Sequence, residues 1–88
     1  MNLKIALGQI NPGSKSVAEN VKWAIEGAAL AAQQGAKILC LPELFPFGLL
    51  KGHSQVETAA AVTVDILDIL RENAQSNDIA IMAGLPYA

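Results

Sequence analysis

One stretch decides the fold of this chain: Ile38-Leu39-Cys40-Leu41-Pro42-Glu43-Leu44-Phe45-Pro46-Phe47-Gly48. Its first four residues are apolar, as in a buried strand, and they end at a proline, an acid and a loop rich in proline and phenylalanine. A carboxylate directly after a buried strand lies at the carboxyl end of a sheet, where open α/β sheets keep their ligand crevices. Glu43 is therefore the first candidate for a functional residue.

Strand and helix patterns alternate on both sides of this stretch. Apolar runs predict strands at residues 3–10, 36–41 and 79–83. Two Ser-x-x-Glu capping boxes, at Ser16 and Ser54, predict the starts of two helices, and a glycine at position 35 is placed as a C-terminal cap. The apolar helix faces are predicted to contain Val17, Val21, Ala24, Ile25, Ala28 and Ala32, and then Ala59, Thr63, Ile66, Leu67, Leu70 and Ala74.

The resulting order, β-α-β-α-β, predicts an α/β fold whose parallel strands are joined by right-handed crossovers. The strands at 36–41 and 79–83 are continuously apolar, as in sheets that are covered on both faces. If the strand order runs in one direction, however, both helices lie on the same face. The other face then needs further chain, a second copy or another sheet to cover it.

Composition limits the possible functions. The chain has 88 residues, enough for one small domain, and 52% of them are hydrophobic. A net charge of −2 gives no basic surface for nucleic acid or an anionic membrane. A single cysteine excludes an internal disulfide and a cysteine-cluster metal site. Because there is no secretory signal pattern and no run that could span a bilayer, we expect a cytoplasmic protein.

Three further candidates have simple structural explanations. Residues 8–16 lie where a phosphate-binding loop would, but Ser14 separates the second glycine from the lysine and Pro12 removes a donor N–H, which favours a turn into a capped helix. Cys40 has apolar neighbours, which predicts a buried small hydrophobe and not a partner of the nearby acid. His53 has no second ligand close by, so we expect a solvated loop residue.

Glu43 has two interpretations from the residues alone. An acid can begin a loop simply because loops are exposed to water. Against this, Leu41-Pro42 and Leu44-Phe45 bracket the acid, and a carboxylate among apolar residues suits a general acid or base. Both interpretations stay open at this point.

Four segments together resemble a known family. In chain order they are residues 1–10 (MNLKIALGQI), Glu19-Asn20, residues 34–44 (QGAKILCLPEL) and residues 79–86 (IAIMAGLP). They resemble the N-terminal part of the nitrilase superfamily of carbon–nitrogen hydrolases, which includes nitrilases, amidases, carbamoylases and the glutaminase domain of glutamine-dependent NAD synthetases. The resemblance covers essentially all of residues 1–88, as the first part of a single domain, and the Gly-Ala-x-x-x-x-x-Pro-Glu segment is its most specific portion.

The resemblance implies an α-β-β-α sandwich, in which helices cover the outer faces of two packed sheets. It also implies a Glu–Lys–Cys triad that hydrolyses a small amide or nitrile through an acyl-enzyme, without a metal or cofactor. Glu43 matches the family's glutamate, which is the general base. The family's lysine and cysteine lie beyond the point that corresponds to Ala88, and Lys51 and Cys40 do not match their positions. We therefore expect the chain alone to be inactive.

The resemblance also gives finer expectations. Phe45 and Phe47 would line the mouth of the substrate pocket, with packing in the core or at its lip as an equal alternative. The segments 9–12 and 84–87 lean toward the glutaminase type found in NAD synthetases.

Two other functions remain open. A non-catalytic α/β module would form a homo-oligomer, or bind a partner, through its apolar sheet face. A flavodoxin-like nucleotide binder is the other, and the absence of any stabilisation by a phosphate ligand in a melting assay would exclude it. A lysine and then a cysteine downstream of Ala88 would favour the hydrolase, whereas a stop codon directly after Ala88 would favour the assembly module.

Overall fold

A computed structural model describes residues 3–10, 16–47 and 52–86, except for the side chains of residues 52–54. Five elements follow one another in the predicted order: β1 (Ile5–Leu7), α1 (Val17–Gln33), β2 (Ile38–Cys40), α2 (Gly52–Asn77) and β3 (Ala80–Met82). Within the described part of the chain, neither helix combines the length and the apolar character that crossing a membrane requires.

The three strands form one parallel sheet in the order β1-β2-β3. Ile5 is paired with Ile38 in one register, and Leu39 with Ile81 in the other. Each strand ladder continues for one residue past the strands, because the Gly8 N–H donates to the Cys40 carbonyl at 2.8 Å and the Leu41 N–H donates to the Met82 carbonyl at 2.9 Å. The carboxyl ends of β2 and β3 therefore lie side by side.

The start and end of α1 confirm the local sequence signals. The Ser16 hydroxyl accepts from the Glu19 N–H, and the Glu19 carboxylate accepts from the Ser16 N–H, both at 3.1 Å, which is the predicted capping box. Gly35 follows the helix with a φ of 86°, which is the left-handed conformation that favours glycine.

The second predicted capping box is wrong. The helix α2 already begins at Gly52, so the residue at position 54 is itself helical. An N-cap residue must keep a non-helical backbone, and therefore Ser54 is not the cap.

Both helices pack on the same face of the sheet. The core there consists of two clusters of packed side chains. The first contains Val21, Ala24, Phe45, Ile66 and Leu70, and the second contains Ala28, Ala31, Ala36, Leu39 and Ile79. The alanine side chains on the buried face of α1 are small, so this helix can lie close to the sheet. The central residues of each predicted apolar helix face are buried, as predicted. The margins of these faces differ, because Val17 and Leu67 are exposed while Asn20 is fully buried.

The opposite face of the sheet is not covered by any of the described residues. Leu7 is 74% exposed, Met82 60% and Ile5 49%. The expectation of an uncovered face under a one-directional strand order is thus confirmed. Cys40 belongs to this face, where its thiol lies 3.9 Å from the Met82 sulfur and is only half-buried, so the prediction of a buried core cysteine is wrong. The reason is the alternation of side chains along β2, which sends Leu39 into the core and its neighbour outward.

The packing of α1 on the sheet leaves little room at Gly8. A Cβ atom at this residue would lie 2.8 Å from Cη2 of Trp23 and 3.2 Å from Cδ2 of Leu41. Gly27, within α1, has nothing within 4 Å of the corresponding point.

Gly8→Ala should therefore lower the free energy of unfolding by about 1–3 kcal/mol, because the indole must move to admit the methyl group. The matched control Gly27→Ala should raise it by about 1 kcal/mol, the gain of alanine over glycine inside a helix. Urea unfolding followed by the fluorescence of Trp23, the one tryptophan of the sequence, measures both. Equal effects of the two substitutions would contradict the packing described here.

Candidate active site

The turn at residues 42–47 follows β2 directly and carries the candidate acid. Two hydrogen bonds close it internally: the Phe45 N–H donates to the Pro42 carbonyl at 3.1 Å, and the Phe47 N–H donates to the Leu44 carbonyl at 2.9 Å. A third bond joins it to the chain after β3, since the Leu44 N–H donates to the Gly84 carbonyl at 2.9 Å. The turn is thus bonded to the chain that follows β3, at the carboxyl end of the sheet.

Leu44 has a φ of 55°, a left-handed backbone conformation that is unusual for a residue with a branched side chain. Such a conformation costs about 1–3 kcal/mol and persists only where the surroundings hold it in place. Here the bond to the Gly84 carbonyl supplies part of that restraint. Strained residues of this kind cluster at functional sites, which makes the neighbouring acid of interest.

Glu43 lies at the carboxyl end of the sheet, as the sequence predicts, but its side chain is exposed. It borders an open depression at the ends of β2 and β3, lined by Cys40, Leu41, Glu43, Ile81, Met82, Ala83 and Gly84. The sequence suggested a carboxylate among apolar residues, and the structure differs because the flanking Phe45 turns away from Glu43 into the helix-covered core.

The two phenylalanines of the turn do not line this depression. Phe45 has no exposed surface and packs in the core between α1 and α2. Phe47 is half-buried against the same core. The core-packing alternative therefore describes Phe45 in this structure, and Phe47 lies at the margin of that core.

Asn20 contacts this turn, a role that the helix pattern did not reveal. Its Nδ2 donates to the Pro46 carbonyl at 2.9 Å, and both residues are buried. A sequence signal was present, because this asparagine lies in register with Ala24, Ala28 and Ala31 on the buried face of α1. Its partner, 26 residues further along the chain, could not be read from that pattern.

A second side chain holds the segment that follows β3 and faces the turn. The hydroxyl of Thr63, buried on α2, lies 2.6 Å from the Pro86 carbonyl and 3.2 Å from the Ala59 carbonyl. The segment that carries Gly84 is thereby held against α2.

A family model identifies the chain. The model described as carbon–nitrogen hydrolase matches residues 4–88, which is nearly the whole sequence. The chain belongs to the carbon–nitrogen hydrolase family. The three-stranded sheet with its two helices is accordingly the N-terminal portion of a nitrilase-like fold.

A solved structure supports this family assignment. An amidase from Nesterenkonia sp. is 30% identical and superposes with a TM-score of 0.75. The superposition covers 94% of this chain and 32% of the amidase chain, so this chain spans about a third of that protein's length. A search of curated proteins found no match.

Other sequence candidates find no support as sites in the part of the chain that is described. No group of three or more His, Cys, Asp or Glu side chains there could hold a metal ion. Residues 11–15, which the phosphate-loop interpretation needs, lie outside the described residues, as do Lys51 and the side chain of His53.

Gly84 lies against the side chain of Glu43. A Cβ atom at Gly84 would meet Cγ of Glu43 at 3.4 Å, an ordinary contact that a methyl group satisfies. We expect Gly84→Ala to leave the turn unchanged and Gly84→Val to displace the acid, because its branched methyl groups extend beyond that contact distance. The measurement is the NMR shift of the Glu43 carboxyl carbon together with that of the Leu44 amide. Indistinguishable spectra for the two variants would contradict this contact.

Proposed function

We propose that residues 1–88 are the first part of an amidase-type carbon–nitrogen hydrolase domain, in which Glu43 is the general base of a Glu–Lys–Cys triad. The observation that carries the proposal is the exposed carboxylate of Glu43 at the carboxyl end of the sheet, on a turn held by β3 and α1. Family membership and the likeness to an amidase support it. The substrate class we propose is a small amide, or a nitrile, without a cofactor.

The chemistry follows from what a carboxylate can do beside a thiol. A thiol is a weaker nucleophile than a thiolate, so a base that takes its proton activates it. The thiolate attacks the amide carbon, and a lysine ammonium stabilises the oxyanion that forms. The tetrahedral intermediate then collapses to an acyl-enzyme. The departing amine receives the proton that the base took from the thiol. Glu43 next takes a proton from water, whose oxygen attacks the acyl group. The acid leaves, and Glu43 returns the proton to the thiolate that is set free.

The lysine and the cysteine of this scheme would come from chain outside these residues. Cys40 borders the same depression as Glu43, but it lies on the uncovered sheet face beside Met82 and does not match the family's cysteine position. We therefore propose that the 88-residue chain by itself performs no acyl transfer. The glutaminase type is a weaker proposal for the subfamily, since it rests only on the sequences of residues 9–12 and 84–87.

Glu43→Gln in the complete hydrolase domain should lower kcat by at least about 10²-fold, the contribution of a general base. The fold should survive, because exposed substitutions change stability by roughly 0.5 kcal/mol or less. Glu26→Gln, at an exposed position of α1, is the matched control and should retain full activity. Steady-state release of ammonia from small amides is the measurement. Near-normal turnover by Glu43→Gln would refute the proposed role.

A second function is favoured by one observation, the apolar sheet face with Leu7 and Met82 exposed. We propose as the alternative that this face joins two copies of the chain, or a partner, without catalysis. The residues that cover the face distinguish the two functions. In the hydrolase they belong to the rest of the same domain, whereas in the module they belong to another molecule.

The alternative predicts a concentration-dependent dimer of the purified 88-residue chain in sedimentation velocity. Leu7→Lys should shift it to monomer, because a lysine on the buried interface would lose its hydration. Val64→Lys, at an apolar position that is 60% exposed on α2, should leave the dimer intact. A stable, folded monomer of the unsubstituted chain would exclude the self-assembly function.

A further inference from the structure

The turn that carries the candidate base is attached to the rest of the fold at two points outside its own backbone. On one side the Leu44 N–H donates to the Gly84 carbonyl at 2.9 Å. On the other side the side-chain amide of Asn20 donates to the Pro46 carbonyl at 2.9 Å. Glu43 precedes both attachment points by at most three residues, so its position depends on them.

The bond from Asn20 is buried at both ends. Asn20 has no exposed surface, and Pro46 is also fully buried. Water cannot easily replace the amide donor at such a place, and a buried carbonyl that loses its partner is costly. The bond therefore selects the turn conformation in which Pro46 faces α1.

The same turn conformation contains the left-handed residue Leu44. A strained residue relaxes when its restraints are removed, and relaxation at Leu44 would rotate the preceding peptide and the Glu43 Cα–Cβ direction with it. Asn20 thus acts on Glu43 through the backbone and does not need to touch it.

We propose that Asn20 is a positioning residue for Glu43: its amide fixes the Pro46 carbonyl and thereby the direction of the carboxylate at the edge of the sheet. This inference rests on the proposed function, since it concerns the same base. A misplacement of about 1 Å by a change remote from the chemistry can cost a rate factor of about 10².

The test uses Asn20→Leu in the complete hydrolase domain. Leucine has the same branched arrangement of four side-chain heavy atoms and is a good helix former, but it has no donor for the Pro46 carbonyl. We expect kcat to fall roughly 10- to 100-fold while KM changes little, because the base is misplaced and the remaining substrate contacts are kept. Asn20→Ser, whose hydroxyl is too short to make the same bond, serves as the second variant if the first does not fold.

The matched control is Ile79→Ala, which removes buried side chain from the second core cluster, away from the turn. It should lower thermal stability at least as much as Asn20→Leu and leave kcat per folded molecule unchanged. If the two variants lose activity in proportion to their loss of stability, Asn20 is only structural and the proposal is overturned.

Amide hydrogen exchange gives a readout that does not depend on activity. The Leu44 and Leu41 amides both donate to carbonyls at the end of β3, but only Leu44 belongs to the turn. In Asn20→Leu the exchange of Leu44 should accelerate several-fold relative to Leu41, and in Ile79→Ala their ratio should stay the same. An unchanged ratio in both Asn20 variants would overturn the proposal.

The two proposals fail in different ways. If Glu43→Gln keeps its activity, the proposed base is wrong, and the exchange ratio alone still decides whether Asn20 holds the turn. If Glu43→Gln is inactive and the Asn20 variants have normal kcat, the proposed function stands and the positioning role is refuted.

Discussion

Burial of Phe45 is the constraint on which the site depends. Its ring is completely enclosed between α1 and α2, and burying a phenylalanine stabilises a fold by roughly 1.5–3 kcal/mol. To reach that place from the end of β2, the chain turns sharply and puts Leu44 at a φ of 55°. The cost of that conformation, about 1–3 kcal/mol, is of the same size as the burial gain. The bonds to Gly84 and from Asn20 therefore decide whether the turn keeps this form.

The division between a packed face and an open face follows from the strand order. With β1, β2 and β3 in sequence and parallel, right-handed crossovers place α1 and α2 on one side only. The other side leaves Leu7 and Met82 in water. This explains why so small a chain is 52% hydrophobic, since part of its apolar surface has no partner within the described residues. A sandwich of two sheets, as in the nitrilase-like fold, is one arrangement that covers such a face.

The features that depend on neighbouring residues could be predicted from the sequence. The capping box at Ser16 and the glycine at 35 depend on residues within one helical turn, and the position of Glu43 depends only on where an apolar run ends. The same Ser-x-x-Glu pattern failed at Ser54, because α2 begins upstream of this residue and the pattern is the same inside a helix as at its start.

The features that sequence missed depend on contacts between distant residues. Side chains alternate along β2, and Cys40 points to the face opposite the helices. Its partial exposure could be predicted only if that face were known to be open. The destination of Phe45 and the role of Asn20 both require the position of α1 relative to the turn. A polar side chain within an apolar helix face was the available signal, and a buried amide of this kind needs a partner.

The most direct test is a crystal structure of the complete domain with a substrate analogue. We expect further chain to cover Leu7 and Met82, the Asn20–Pro46 bond to be kept, and a cysteine thiol and a lysine to lie at the Glu43 carboxylate within about 2.6–3.2 Å or through one water. A Glu43 carboxylate that faces solvent, with no thiol in reach of it or of the bound analogue, would refute the proposed site.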